Sequence, residues 1–179
     1  MNSTLMTLQK NNIWAPWRMA YIKDIEKSDE CFLCAAREDR GDDREKYVLW
    51  RTELSIVVFN RFPYNNGHLL IAPKRHIPDL ETAAVEEIFD IATLARDTQI
   101  ILKKAISPQG FNVGLNIGRC AGAGLPGHLH MHIVPRWDGD TGFMSTCSEV
   151  EVISQSMDEL YDMLIELSGE MNLPSKKCK

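Results

Sequence analysis

Residues 128 to 134 read His-Leu-His-Met-His-Ile-Val, and this strict alternation constrains the fold more than any other stretch of the chain. A period of two belongs to a β-strand, whose successive side chains point to opposite faces. One face then carries His128, His130 and His132, about 7 Å apart per step, and the other carries Leu129, Met131 and Ile133. Such a strand is half core and half site. It needs strands at its sides and an apolar layer behind its Leu/Met/Ile face.

The rest of the chain supplies both. Leu54 to Phe59 (LSIVVF) and Gly67 to Pro73 (GHLLIAP) are apolar, strand-like runs separated by the turn-rich FPYNN, which predicts a hairpin. Pro78 and Asp79 are expected to open a long helix. Leu80, Ala84, Val85, Ile88, Ile91, Ala92, Ala95, Thr98, Leu102 and Ala105 recur on one face of it, and Ser107, Pro108 and Gly110 end it. Asn112 to Ile117 returns to strand, and a glycine-rich loop, Gly118 to Gly127, leads into the histidines. Ser156 and Glu159 form a capping-box pattern ahead of a second amphipathic helix with Met157, Leu160, Tyr161, Leu164 and Leu167. The expected class is α+β: a mainly antiparallel sheet with helices to one side. No repeat or linker interrupts the 179 residues, so a single domain over 1–179 is expected, with loose ends at 1–12 and 172–179.

Composition narrows the function. With 20 Lys plus Arg against 25 Asp plus Glu, a net charge of −5 argues against a sequence-independent nucleic-acid or anionic-membrane binder, which needs a broad excess of cations. A pocket for a small anion remains open. No apolar run approaches the roughly 18 residues of a membrane span, and the polar start lacks the apolar stretch of a signal peptide, so a cytoplasmic protein is expected. Trp14, Trp17 and Tyr21 are expected to anchor an N-terminal arm. Five cysteines at uneven spacing do not make a disulfide framework. Cys120, Cys147 and Cys178 stand alone, whereas Cys31 and Cys34 have the CxxC spacing of a metal or redox pair.

Three aligned imidazoles admit two chemistries. They can bind a catalytic metal with an open fourth position, or one ring can attack phosphorus while the others assist, since a neutral imidazole is a competent nucleophile at pH 7. The surroundings favour the second. Gly118, Gly122, Gly124 and Gly127 allow backbone N–H groups to approach an anion, and Asn116, Arg119 and Arg136 flank the strand.

On these residues the sequence resembles the histidine triad (HIT) family, whose signature alternates histidine with apolar residues as His128 to Val134 does. The stretches NRFPYNNGHLLIAPKRH (60–76), 112–127 and PRWDGDTGFM (135–144) are similar to the branch typified by bacterial diadenosine tetraphosphate phosphorylase-like proteins. The resemblance implies a five-stranded, mainly antiparallel sheet with one long crossing helix and a C-terminal helix. It also implies a homodimer and a nucleotide or dinucleotide substrate, with no catalytic metal from the protein. It casts His130 as the nucleophile on the α-phosphate, with His132 and His68 assisting. Asn60 and Phe59 then fall among the nucleotide contacts, with Asn116, Gly122, Ala123 and Gly124 at the phosphates.

The same resemblance gives Cys31 and Cys34 two partners, His76 and His128, as a Cys₂His₂ site for a structural zinc ion. Two departures stand out. Dinucleoside polyphosphate hydrolases of the family have glutamine where this chain has Gly124, and nucleoside phosphoramidases have serine where it has Leu125. The acceptor, water or phosphate, is therefore open. Other readings carried forward are a phosphoramidase-like hydrolase, a non-catalytic AMP-binding regulatory module, and a metal-dependent hydrolase using all three triad histidines.

Overall fold

The computed structural model describes residues 31–38, 42–140, 153, 155–171 and 173. The aromatic arm, Cys147, Cys178, the chain ends and most of the segment after Asp140 lie outside them. In chain order the elements are α1 (Phe32–Ala36), β1 (Val48–Arg51), β2 (Ser55–Phe59), β3 (Leu69–Pro73), α2 (Val85–Ile106), β4 (Gly110–Leu115), a 3₁₀ turn (Arg119–Ala121), β5 (Met131–Arg136) and α3 (Met157–Glu170). The five strands form one sheet in the order β1-β2-β3-β5-β4. Every neighbouring pair is antiparallel.

Alternation along the strands divides the apolar residues between two layers. Val57, Phe59, Leu69, Ile71 and Ile133 pack with Ile91, Leu94, Ile101 and Leu102 of α2 and Leu160, Tyr161 and Leu164 of α3. The residues between them, Val58, Ile56, Leu70 and Ala72, face the other way and pack with Leu33 and Ala36 of α1. Helix α3 is fastened by a phenol: Tyr161 donates to the Val48 carbonyl at 2.9 Å. Its ring and that of Tyr47 meet edge-on with centroids 6.0 Å apart.

Two sequence expectations change, and one strand lacks a sequence signal. The long helix begins at Val85, not at Pro78. Asp79 does accept the Thr82 N–H, at 3.0 Å, but this makes a local turn that does not propagate. Glu87 instead takes the Ala84 N–H at 2.8 Å and a two-pronged contact from Arg75, which fixes the helix start after β3. The buried face of α2 consequently runs through Ile91, Leu94, Ala95, Thr98, Ile101 and Leu102, and Leu80, Val85 and Ile88 are exposed. At α3, Ser156 is the N-cap residue but makes no side-chain cap bond. Finally, the short strand β1 gave no sequence signal, because VLWR is too brief to show a period.

Candidate active site and metal cluster

The hairpin and β5 bring the histidines together. Leu70 of β3 is the cross-strand partner of His132, so by alternation His68, Leu70, His130 and His132 belong to the face turned away from α2 and α3. Gly67 makes the approach to β3 possible. It adopts φ +72°, and a Cβ there would lie 2.9 Å from Ile106 Cδ1, so only glycine suits the position.

Fixed backbone partners decide which nitrogen of each ring carries its proton. A carbonyl can only accept, so His130 Nδ1, 2.7 Å from the His128 carbonyl, is the protonated nitrogen. Its Nε2 keeps a free lone pair. A backbone N–H can only donate, so His68 Nδ1, which receives the Tyr64 N–H at 3.0 Å and the Asn60 amide at 3.3 Å, is unprotonated. Its proton sits on Nε2 and is donated to His132 Nδ1 at 2.9 Å. His132 Nε2 is thereby left as an N–H donor. The arrangement pairs one lone pair with one donor, on rings whose centroids are 5.0 Å apart.

Burial keeps the rings neutral. His68, with no exposed surface, is pushed down to about 3, chiefly by desolvation and then by the neighbouring His132 and His130. Desolvation, followed by the nearby His130, lowers His132 to about 4. His130 is also lowered by burial, opposed by its bond to the His128 carbonyl. In an unfolded chain these imidazoles take up protons near pH 6.5. Between that pH and the folded values the unfolded state binds more protons, so folding stability is full above pH 6.5 and falls as the solution is acidified. Denaturant midpoints are expected to decline from pH 7 to 5 while the His68 and His132 ring resonances stay unshifted. Titration of either ring near pH 6.5 would contradict the assignment.

His128 has a different post. Its Nε2–H donates to the Pro73 carbonyl at 2.8 Å, which turns the Nδ1 lone pair toward Cys31 Sγ at 3.1 Å and Cys34 Sγ at 3.6 Å. His76 Nδ1 lies 3.2 Å from Cys34 Sγ. The four donor atoms are all within 4.8 Å of one another, so two thiols and two imidazoles could hold a metal ion. Such a donor set fits a tetrahedral, thiophilic ion, and the Pro73 carbonyl supplies the outer-shell acceptor that orients a ligating imidazole. Burial and the adjacent Cys31 thiol push the Cys34 thiol up. With both ring nitrogens of His128 committed, His130 and His132 stand as a pair, and a three-imidazole metal centre is not assembled. His128 and His130 also precede β5, which begins at Met131.

Other expected contacts are placed less directly. Phe59 requires a correction: it is 4% exposed in the helix-side layer, its ring 6.1 Å from Tyr47. As a neighbour of Val58 in the strand it points through the sheet, away from the histidines. Asn60 caps its own turn, its Oδ1 accepting the Phe62 N–H at 3.0 Å. The Gly122 and Ala123 N–H groups are used inside the loop, on the Arg119 and Gly118 carbonyls, so an anion could meet them only if that turn opened. The Asn116 amide lies 3.9 Å from where a Gly122 Cβ would be. Sequence reasoning missed Tyr64 and Pro73, which act on the histidines through backbone atoms and so leave no residue-type signal.

An antiparallel sheet that sets a lone-pair imidazole beside an N–H-donating one, next to a glycine loop, defines the histidine-triad class of protein. The HIT domain family model matches residues 42–139, and the chain belongs to that family. It is 34% identical over 153 residues to a Mycobacterium tuberculosis protein named AP-4-A phosphorylase, covering 82% of this chain and 78% of the relative. It is also 37% identical over 93 residues to the asymmetrical bis(5′-nucleosyl)-tetraphosphatase of Schizosaccharomyces pombe, covering 52% and 50%. Among solved structures, a Zn-bound histidine triad family protein from Mycobacterium smegmatis shares the fold with a TM-score of 0.61 and 20% identity, over 79% of this chain and 94% of the other. No helix among the described residues is long and apolar enough to cross a membrane.

Proposed function

We propose that the protein cleaves dinucleoside polyphosphates at the α-phosphate through a nucleotidyl-His130 intermediate, with phosphate as the favoured acceptor. The observation that carries this reading is the His130 Nδ1–H bond to the His128 carbonyl, which leaves Nε2 unprotonated without charging the ring. Nε2 attacks the α-phosphorus, forming a P–N bond as the P–O bond to the departing polyphosphate breaks and its electron pair leaves with that oxygen. His132 Nε2–H steadies the charge that develops on the phosphoryl oxygens. Phosphate, or water in its place, then attacks the same phosphorus, and the P–N bond returns its pair to Nε2.

The mycobacterial relative's name supports phosphorolysis and the yeast relative's name supports hydrolysis. Asn116 and the Gly122 to Gly124 turn are the proposed phosphate contacts, and Asn60 is the proposed ribose contact. Zinc is the proposed metal at Cys31, Cys34, His76 and His128, in a structural role. Pairing of two copies along β4, one of the two edge strands, is part of the same reading.

The test is incubation with diadenosine tetraphosphate, with and without phosphate, following products and intact protein mass. A phosphate requirement with ADP and ATP as products is expected. AMP and ATP without any phosphate dependence would replace phosphorolysis by hydrolysis, and no turnover by the wild type would sink both.

A further inference from the structure

We propose that Tyr64 determines specificity by stacking on the base of the departing nucleotide. The inference rests on the nucleotidyl-transfer reading and adds a contact to it. Tyr64 lies in the β2–β3 connection, where its N–H bonds to His68 Nδ1 at 3.0 Å. That bond ties the loop's position to the histidines. The side chain then lies over them, nearly parallel to His132 at 21° with centroids 5.8 Å apart, and tilted on His68 at 4.7 Å.

One face of the phenol is thus spent on imidazoles, yet the residue is 52% exposed. Tyr64 belongs to neither apolar cluster of the core. Its hold on His68 is through the backbone, which any residue except proline would provide. A half-open aromatic ring beside a phosphate-handling imidazole offers what a purine needs: a flat, sequence-tolerant surface with a π-face free. The order of the rings indicates which half of the substrate meets it. His130 lies 5.0 Å from His132, and Tyr64 is one ring further along. In an in-line displacement the group opposite the nucleophile is the leaving one. Tyr64, which touches His132 and has no ring contact with His130 among the described residues, is on that ground assigned to the nucleoside that departs, not to the nucleotidyl group that stays on His130.

The test compares diadenosine tetraphosphate with adenosine 5′-tetraphosphate, which has the same adenylyl and polyphosphate groups but no second base. Tyr64→Leu keeps the backbone N–H and the apolar cover on His132 but lacks the aromatic face, and Tyr64→Phe keeps the ring. Tyr64→Leu is expected to raise KM for the dinucleotide on the order of tenfold, with kcat and all constants for adenosine tetraphosphate little changed. Tyr64→Phe should behave as wild type. Equal losses on both substrates, or a loss confined to kcat, would reduce Tyr64 to support for the imidazoles and overturn the proposal. Failure of the wild type to turn over either substrate would instead overturn the nucleotidyl-transfer reading beneath it.

Discussion

Replacement of His130 by alanine is expected to lower turnover of diadenosine tetraphosphate by on the order of 10⁴-fold or more, the scale seen when a covalent nucleophile is removed. Nucleotide affinity should change little, because His132 and the glycine loop are untouched. The variant should also fail to gain the mass of a nucleotidyl group that the wild type accumulates when phosphate is withheld. The size of the effect follows from the geometry. His130 is the one ring of the group whose Nδ1 proton is held by a backbone carbonyl while its other nitrogen is left for attack. His132 cannot replace it, since its Nδ1 accepts from His68 and its remaining nitrogen bears the proton. Retention of activity by His130→Ala would mean that the attacking group lies elsewhere.

Loss of the proposed zinc site should have the second-largest effect, and on stability more than on chemistry. A Cys31→Ser, Cys34→Ser variant is expected to contain no zinc and to melt about 5–15 °C below the wild type. An ion that binds only the folded chain contributes roughly 3–4 kcal/mol at 100 to 1,000 times its Kd, and each kcal/mol is worth about 2–4 °C in a chain of this size. Chelation should lower the wild-type Tm by a similar amount and leave the variant unmoved. The four donors come from distant parts of the chain: Cys31 and Cys34 at and in α1, His76 three residues after β3, and His128 on the approach to β5. A metal there would close long loops at once. It would also hold His128, whose carbonyl accepts the His130 Nδ1–H, so a smaller fall in kcat is expected alongside the fall in Tm. A zinc-free wild type with an unchanged Tm under chelation would remove the metal from the account.

Much of the architecture was legible because it depends on periods. The apolar runs LSIVVF and GHLLIAP, the return to strand at Asn112 to Ile117 and the alternation of the triad segment mark four of the five strands, and the apolar recurrence from Ile91 to Leu102 marks the covering helix. What was misread depends on competition between local hydrogen bonds. Pro78 and Asp79 look like a helix start, but Asp79 closes on Thr82, and the helix waits for Glu87. The family resemblance puts Phe59 among the nucleotide contacts with Asn60. A one-residue offset along a strand reverses the face, and the pairing of Phe59 with Leu69 sends its ring into the helix-side core.

By itself the sequence determined that this chain would form a half-buried sheet with a row of histidines on its polar face and a CxxC pair in want of partners. Spacing along one strand carries the first directly, and the spacing of Cys31 and Cys34 carries the second. Only the tertiary structure decided which nitrogen of each ring carries its proton. His128 turns to the thiols because Pro73, on another strand, offers a carbonyl to its Nε2. His68 and His132 hold their protons as they do because the Tyr64 amide, in a separate loop, points at His68. A ring's tautomer is set by what faces it across space, and backbone donors and acceptors are the same for every residue type, so no reading of side chains in order could have assigned them.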